Sequence, residues 1–228
     1  MRTLLQKSWA GGQVRAEMRE LVVGAFLLFA FLSGALAHTL PAVLPLTKLI
    51  TDGLLLVVNG LVLWCCYERN RDSRLWYWLL AAYWFTFFTE AAGVATGAIF
   101  GRYTYGPTMW VQWLGVPFMI ALNWCVLTLA ANDLVDRLLP GMPAAVGAAV
   151  AGIVLAFYDV AIEPVAIRLD YWNWAAGSIP VQNYVAWAVV GALISLPLRL
   201  LDIRFRTPVL PVYFFAQLVF FLLLIALL

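Results

Sequence analysis

Residues 144–163 read AAVGAAVAGIVLAFYDVAIE, an apolar run that carries no charge until Asp159 and Glu163. As a helix rising about 1.5 Å per residue, it reaches across a hydrocarbon core of about 30 Å. Six more apolar runs accompany it: Leu21–Ala37, Leu44–Tyr67, Leu75–Phe100, Val111–Ala131, Val181–Leu200 and Val209–Leu228. The breaks between them hold turn residues or charge, as in Thr39-Leu40-Pro41, Glu68–Asp72, Pro140-Gly141-Met142-Pro143 and Arg204–Pro208. The spacing predicts an all-α polytopic transmembrane helix bundle of about seven spans with short loops. The first run is the shortest.

Composition agrees. Of the 228 residues, 64% are hydrophobic and 11% charged, and the mean hydropathy is +0.91. A soluble domain carries about 25% charged residues, so water is not the main solvent here. A net charge of +2 without a basic block speaks against nucleic acid as a partner. Cys65, Cys66 and Cys125 lie inside apolar runs, and no Cys/His spacing resembles a zinc site. Residues 1–20 are polar and read as a cytoplasmic segment before one transmembrane domain over 21–228. A signal peptide would place its apolar core nearer the start and a small-residue cleavage site after it.

The basic residues give an orientation. With a cytoplasmic N-terminus, eleven of the fourteen Lys and Arg residues fall on the inner side, leaving Lys48, Arg102 and Arg168 outside. The same topology gathers the unusual polar residues toward the outer end. His38 and Asp52 lie there, with Glu90, Tyr103, Tyr105, Asp159, Glu163, Asp170, Trp172, Trp174, Gln182 and Asn183. Apart from Asn59 and the near-central Asn123, the other half is mostly hydrocarbon and aromatic.

Intramembrane carboxylates are costly and mark function. Asp159 and Glu163 are four apart, so they share a helix face and are expected to hold a proton between them. Pro164 follows directly and predicts a helix end or kink at Glu163. Glu90 precedes Gly93, Gly97 and Gly101, whose spacing is that of close helix packing. Trp110 and Trp113 read as membrane-interface anchors among eleven tryptophans, whereas Trp172 and Trp174 read as the mouth of a pocket. His38 by itself reads as an interface residue.

Several membrane chemistries are excluded. A di-iron enzyme needs a histidine cluster, and the chain has one histidine. A retinal protein needs a lysine in a late span, and the only lysines are Lys7 and Lys48. No GxGxxG follows a strand, so a dinucleotide or flavin is not expected. Asn132-Asp133-x-x-Asp136 is a faint match to the magnesium-diphosphate motif of membrane prenyltransferases, which use a second acidic motif and more helices.

Three stretches carry a resemblance: EAAGVATGAIFGRYTYGP (Glu90–Pro107), DVAIEPVAIRLDYWNW (Asp159–Trp174) and PVQNYVAW (Pro180–Trp187). In order and spacing they resemble the membrane carotenoid biosynthesis proteins that hydrate acyclic carotenoid ends, the γ-carotene and bisanhydrobacterioruberin hydratase type. The chain is short for that family. The resemblance implies addition of water across the terminal double bond of a ψ end group, such as that of lycopene, without a redox cofactor or a metal. It implies a long apolar carotenoid as substrate, the lipid bilayer of the cell (inner) membrane as location, and other carotenoid-pathway enzymes as candidate partners.

Such chemistry needs a proton donor, a stabilised tertiary cation, a held water and an apolar groove. Asp159 and Glu163 are the candidate acid and its partner, and Glu90 the residue that holds water or acts as base. Asn183, Gln182 and Tyr103 are expected to orient the water, and Trp172, Trp174 and Tyr105 to face the cation. Asn123 joins them as a substrate-binding candidate. Two alternatives stay open. A lycopene-cyclase-like isomerase would use the same protonation, although the proline–acid–acid signature of the small cyclases is missing. A membrane transporter or proton-relay protein would use the acids without chemistry on a pigment.

Overall fold

The computed structural model describes residues 2–228, with side chains from Val14 onward. The side chains of Arg2 and Lys7, counted above among the inner basic residues, lie outside that range. Seven helices succeed one another as α1 (Arg2–His38), α2 (Leu44–Asn70), α3 (Arg74–Thr96), α4 (Phe118–Leu138), α5 (Ala144–Arg168), α6 (Val181–Leu200) and α7 (Val209–Leu227). Four short strands interrupt them: β1 (Tyr103–Tyr105), β2 (Gln112–Trp113), β3 (Val116–Pro117) and β4 (Trp172–Trp174). Among the described residues, six helices are long and apolar enough to cross a membrane, with α1 contributing Val14–His38. The remaining one, α3, has 23 residues, and its three Trp and two Tyr lower its hydropathy without shortening it. The chain is an all-α polytopic membrane bundle.

Several boundaries differ from the sequence reading. The helix α1 starts at Arg2, not Leu21, and α2 runs on to Asn70, not Tyr67. Four others bear on the site. The helix α3 stops at Thr96, not Phe100, because Gly97 takes a left-handed φ of 67° and its N–H closes on Gly93 O at 2.7 Å. Gly93, Gly97 and Gly101 therefore form a helix stop and turn instead of a helix-packing stripe. The helix α4 begins at Phe118, not Val111: β2 and β3 pair across Leu114 and Gly115, both at positive φ, and Pro117 leads into the helix. It then runs on to Leu138 through Asn132, Asp133 and Asp136. The helix α5 does not end at Glu163 but continues through Pro164 to Arg168. Pro164 has no N–H, so the Val160 carbonyl loses its usual donor. Helices in membranes tolerate this where local adjustments satisfy the freed group.

The helices α5 and α6 set the depth of the acids. A Cβ on Gly152 would lie 2.1 Å from Ala188 O and 2.8 Å from Ala192 N, so the two backbones touch there. Only a residue without a side chain allows that approach. Gly152→Leu is expected to cost about 1–3 kcal/mol by overpacking. Thermal unfolding of the purified variant checks it, and an unchanged midpoint would remove this contact from the account. On the other flank, Trp78 Nε1 of α3 donates to Ile194 O of α6 at 2.9 Å.

Charge separates along the bundle. All seven ion pairs among the described residues sit at the end that holds the start of α3 and the ends of α2, α4 and α6, from Arg19–Glu68 to Arg204–Asp202. At the opposite end β1 pairs antiparallel with β4, in the register Tyr103↔Trp174, Thr104↔Asn173 and Tyr105↔Trp172. Alternation sends Thr104 and Asn173 outward and the four rings inward as a lid on the bundle.

Candidate active site

Beneath that aromatic lid lie three carboxyl groups from two helices. Glu90 of α3 is 4% exposed. Its Oε2 accepts the hydroxyls of Tyr103 and of Tyr105, the latter at 3.0 Å. Its Oε1 accepts Trp124 Nε1 at 2.9 Å. Burial pushes both tyrosine hydroxyls, which lie outside the spanning helices, well above their ordinary range, so they stay protonated and donate. An indole N–H can only donate. Glu90 is thus held by three donors as an acceptor.

Glu163 of α5 is 1% exposed. Its Oε2 accepts Trp172 Nε1 at 3.0 Å and Trp174 Nε1 at 2.8 Å, and its Oε1 accepts Asn183 Nδ2 at 3.1 Å. One turn earlier Asp159 is 0% exposed. The same Asn183 amide donates to its Oδ2 at 2.6 Å, while Oδ1 has no partner. A single α6 side chain therefore ties the two acids together. None of the three acids joins an ion pair among the described residues, and neither Arg102 nor Arg168 pairs with them.

The acids do not share one exposure. A cavity with about 110 Å³ open to the centre of a water molecule is lined by Glu90, Glu163, Asn183, Tyr103, Tyr105 and Asn123, and by Trp124, Trp172, Trp174 and Trp187. Asp159 is not part of its wall, although its place in the sequence makes it a leading candidate for the proton donor. It sits behind Glu163 and Asn183. Since one water needs roughly 10–15 Å³ of such space, the cavity has room for several waters or the end of an apolar chain.

Other candidates are placed elsewhere or put to a different use. Gln182 faces away: its Nε2 donates to Ala98 O at 2.5 Å and Ile99 O at 3.1 Å, pinning the turn after α3. Asn123 lies on the cavity wall, its Oδ1 taken by Tyr213 at 2.8 Å and Gln217 at 3.2 Å. Trp172 and Trp174, expected as ring faces, present their N–H groups to Glu163. Asp52 accepts the N–H groups of Trp110 and Val111 at 3.0 and 3.3 Å, which fixes a loop instead of lining the cavity.

Sequence reasoning missed further wall residues, among them His38, Trp124 and Trp187. His38, read as an interface residue, is 7% exposed and lines the far side of the cavity with Phe220 edge-on to it. Its Nδ1 lies 2.7 Å from Gly34 O, a carbonyl that can only accept, so Nδ1 carries a proton. Its Nε2 is buried without a partner. Trp124 and Trp187 stack at 3.8 Å between centroids and floor the acid centre. Trp124, inside an apolar run, gave no signal that would set it apart from core, and Trp187 entered only as the last residue of the Pro180–Trp187 stretch.

Fold and site together define a multi-pass membrane protein with an aromatic-walled acidic cavity. The chain belongs to the carotenoid biosynthesis protein family, whose pattern matches residues 51–228. This bears out the resemblance seen in the three stretches. The match takes in every acid of the site and leaves α1, with His38, outside. The chain is also similar to the bisanhydrobacterioruberin hydratase of Haloarcula japonica, 28% identical over 128 residues, covering 54% of this chain and 44% of that protein. The chain thus matches less than half the length of that relative. No solved structure matches it.

Proposed function

We propose that this protein is a carotenoid hydratase, adding water across the terminal double bond of an acyclic ψ end group. The observation that carries the reading is the pair Glu163 and Glu90 on one apolar, aromatic-walled cavity. Each accepts three donors, but only Glu163 is tied through Asn183 to a second acid, Asp159. The similarity to a hydratase supports it. Two carboxyl groups tied by one amide, with no ion-pair partner among the described residues, carry one proton between them. Asp159, with its free oxygen, stores that proton, and Glu163 presents it to the cavity.

The proton bonds to the less substituted carbon of the double bond, and the tertiary cation forms on its neighbour. Tyrosine and tryptophan rings around the cavity stabilise that charge. A water oxygen then bonds to the cationic carbon and gives its extra proton to Glu90, a carboxylate already held as an acceptor. Proton return to the acid pair through cavity water restores the start. One water is consumed for each end hydrated.

Expression in a lycopene-producing host tests this. A gain of one water per reacted end is expected in the pigments by chromatography and mass spectrometry. An isomer of unchanged mass would replace the reading with cyclisation, and unchanged pigment would replace it with transport.

The proposed setting is the cell (inner) membrane with the N-terminus in the cytoplasm. Seven crossings then place Leu228 outside. A reporter fused after Leu228 is expected to read as external; a cytoplasmic signal would overturn this orientation.

A further inference from the structure

The basic end of the bundle holds a second cavity that the acid centre does not use. Its wall includes Asp133 and Asp136 of α4, Arg199 of α6, and Arg204 and Arg206 of the link to α7. Arg199 is built into it. Its side chain is 9% exposed. Nε donates to Asn132 Oδ1 at 2.8 Å and Nη1 to Asp136 Oδ1 at 3.1 Å. Asn132 is fixed in turn by Ser195 Oγ at 2.8 Å and Thr128 O at 2.9 Å. On the α5 side, Gly147 makes room: a Cβ there would meet Arg199 Nη1 at 2.2 Å.

All this leaves Nη2 buried without an acceptor. Guanidinium keeps its charge under all ordinary conditions, so an idle, fixed N–H pair on it is a site for an oxyanion. Asp133 adds a second feature. Its Oδ2 takes Arg137 Nε at 2.7 Å, while Oδ1 is buried without a donor. Arg204 is paired with Asp202 at 2.7 Å, whereas the exposed Arg206 makes no ion pair among the described residues. The Asn132–Asp136 motif is thus engaged in orienting Arg199 and Arg137.

The geometry points to a phosphate-binding site here, with the phosphate on Arg199 and Arg206 and a hydrogen-bond donor of the same ligand on Asp133. The site lies where apolar helices give way to charged loops, the depth of lipid headgroups, and basic pockets between spanning helices bind such groups. Exposed Leu138, Leu139 and Val146 flank the Gly141 turn and offer surface to acyl chains. The chemistry selects a phosphodiester headgroup bearing a hydroxyl or an ammonium N–H.

Native mass spectrometry of the detergent-purified full chain tests it, with phosphatidylglycerol, phosphatidylethanolamine, phosphatidylcholine and inorganic phosphate as probes. One retained phosphatidylglycerol or phosphatidylethanolamine per chain is expected, with phosphatidylcholine, which has no N–H, retained at least tenfold less. Arg199→Gln is expected to lower retention at least tenfold. Arg206→Gln, at an exposed residue outside the ion pairs, keeps the fold and lowers it severalfold. Displacement of the lipid by millimolar phosphate supports the same site with a soluble oxyanion as its ligand. Equal retention by wild type and Arg206→Gln, or equal retention of phosphatidylcholine, overturns the proposal.

Discussion

Glu163→Gln is expected to remove hydration almost completely, lowering turnover by about 10³-fold, since a positioned acid contributes about 10²–10⁴. Of the two acids tied by Asn183, Glu163 is the one on the cavity wall. Glutamine keeps the shape and an oxygen for one group of donors, but carries no transferable proton. Asp159→Asn is the informative companion. Asp159 never reaches the cavity, so its loss is expected to slow turnover less, about 10–10²-fold, and to shift the pH profile by removing the shared proton. Product analysis of both variants in pigment-producing cells, with membrane insertion checked by fractionation, settles the order. Normal turnover in Glu163→Gln, or a deeper loss in Asp159→Asn, would reverse the assignment of donor and store.

Glu90→Gln is the second large effect, with an expected loss of about 10²-fold or more. It combines a chemical and a structural loss. Three donors converge on the two Glu90 oxygens, and an amide offers only one oxygen. Either Trp124 or the tyrosine pair then faces an NH₂ group, which costs about 1–3 kcal/mol for each buried donor left unpaired. Tyr103→Phe separates the two losses, because it removes one donor and leaves the carboxylate. Its expected cost is about tenfold, from one hydrogen bond to a charged group. If Tyr103→Phe proved as damaging as Glu90→Gln in purified protein, Glu90 would be a structural anchor for the lid and not a base.

Solvent dictates the part of this protein that is legible in its residues. Seven apolar runs in a chain with few charges leave little choice but a membrane bundle, and the carboxylates stand out because hydrocarbon makes them costly. The ends of the runs are harder to read. Leu75–Phe100 stays apolar past the point where Gly97 turns left-handed, and hydropathy does not register a dihedral angle. Tyr-Thr-Tyr and Trp-Asn-Trp alternate as strands do, but three residues are too few to establish a period of two. Their pairing joins residues about seventy positions apart in the chain.

Within the site, residue types were legible and their directions were not. Gln182 and Asn183 are neighbours on one helix, yet about 100° of rotation sends one to a turn and the other between two acids. Asp159 and Glu163 share a face, but only Glu163 meets open space, because Asn183 of α6 sits against both and Asp159 lies off the cavity wall. The indole N–H groups of Trp172 and Trp174 show the same limit. A tryptophan beside an acid offers a ring face or a donor, and only the fold chooses.

In the proposed hydration, water itself supplies the new oxygen and, through the carboxyl groups, the new hydrogen. Purified protein in lipid nanodiscs, given lycopene and no other reagent, tests it when the buffer is prepared once in oxygen-18 water and once in deuterium oxide. The expected product is a tertiary alcohol with one heavy oxygen per reacted end in the first buffer, and one carbon-bound deuterium per reacted end in the second. A product without heavy oxygen, or a cyclic isomer carrying deuterium alone, would exclude hydration by this protein.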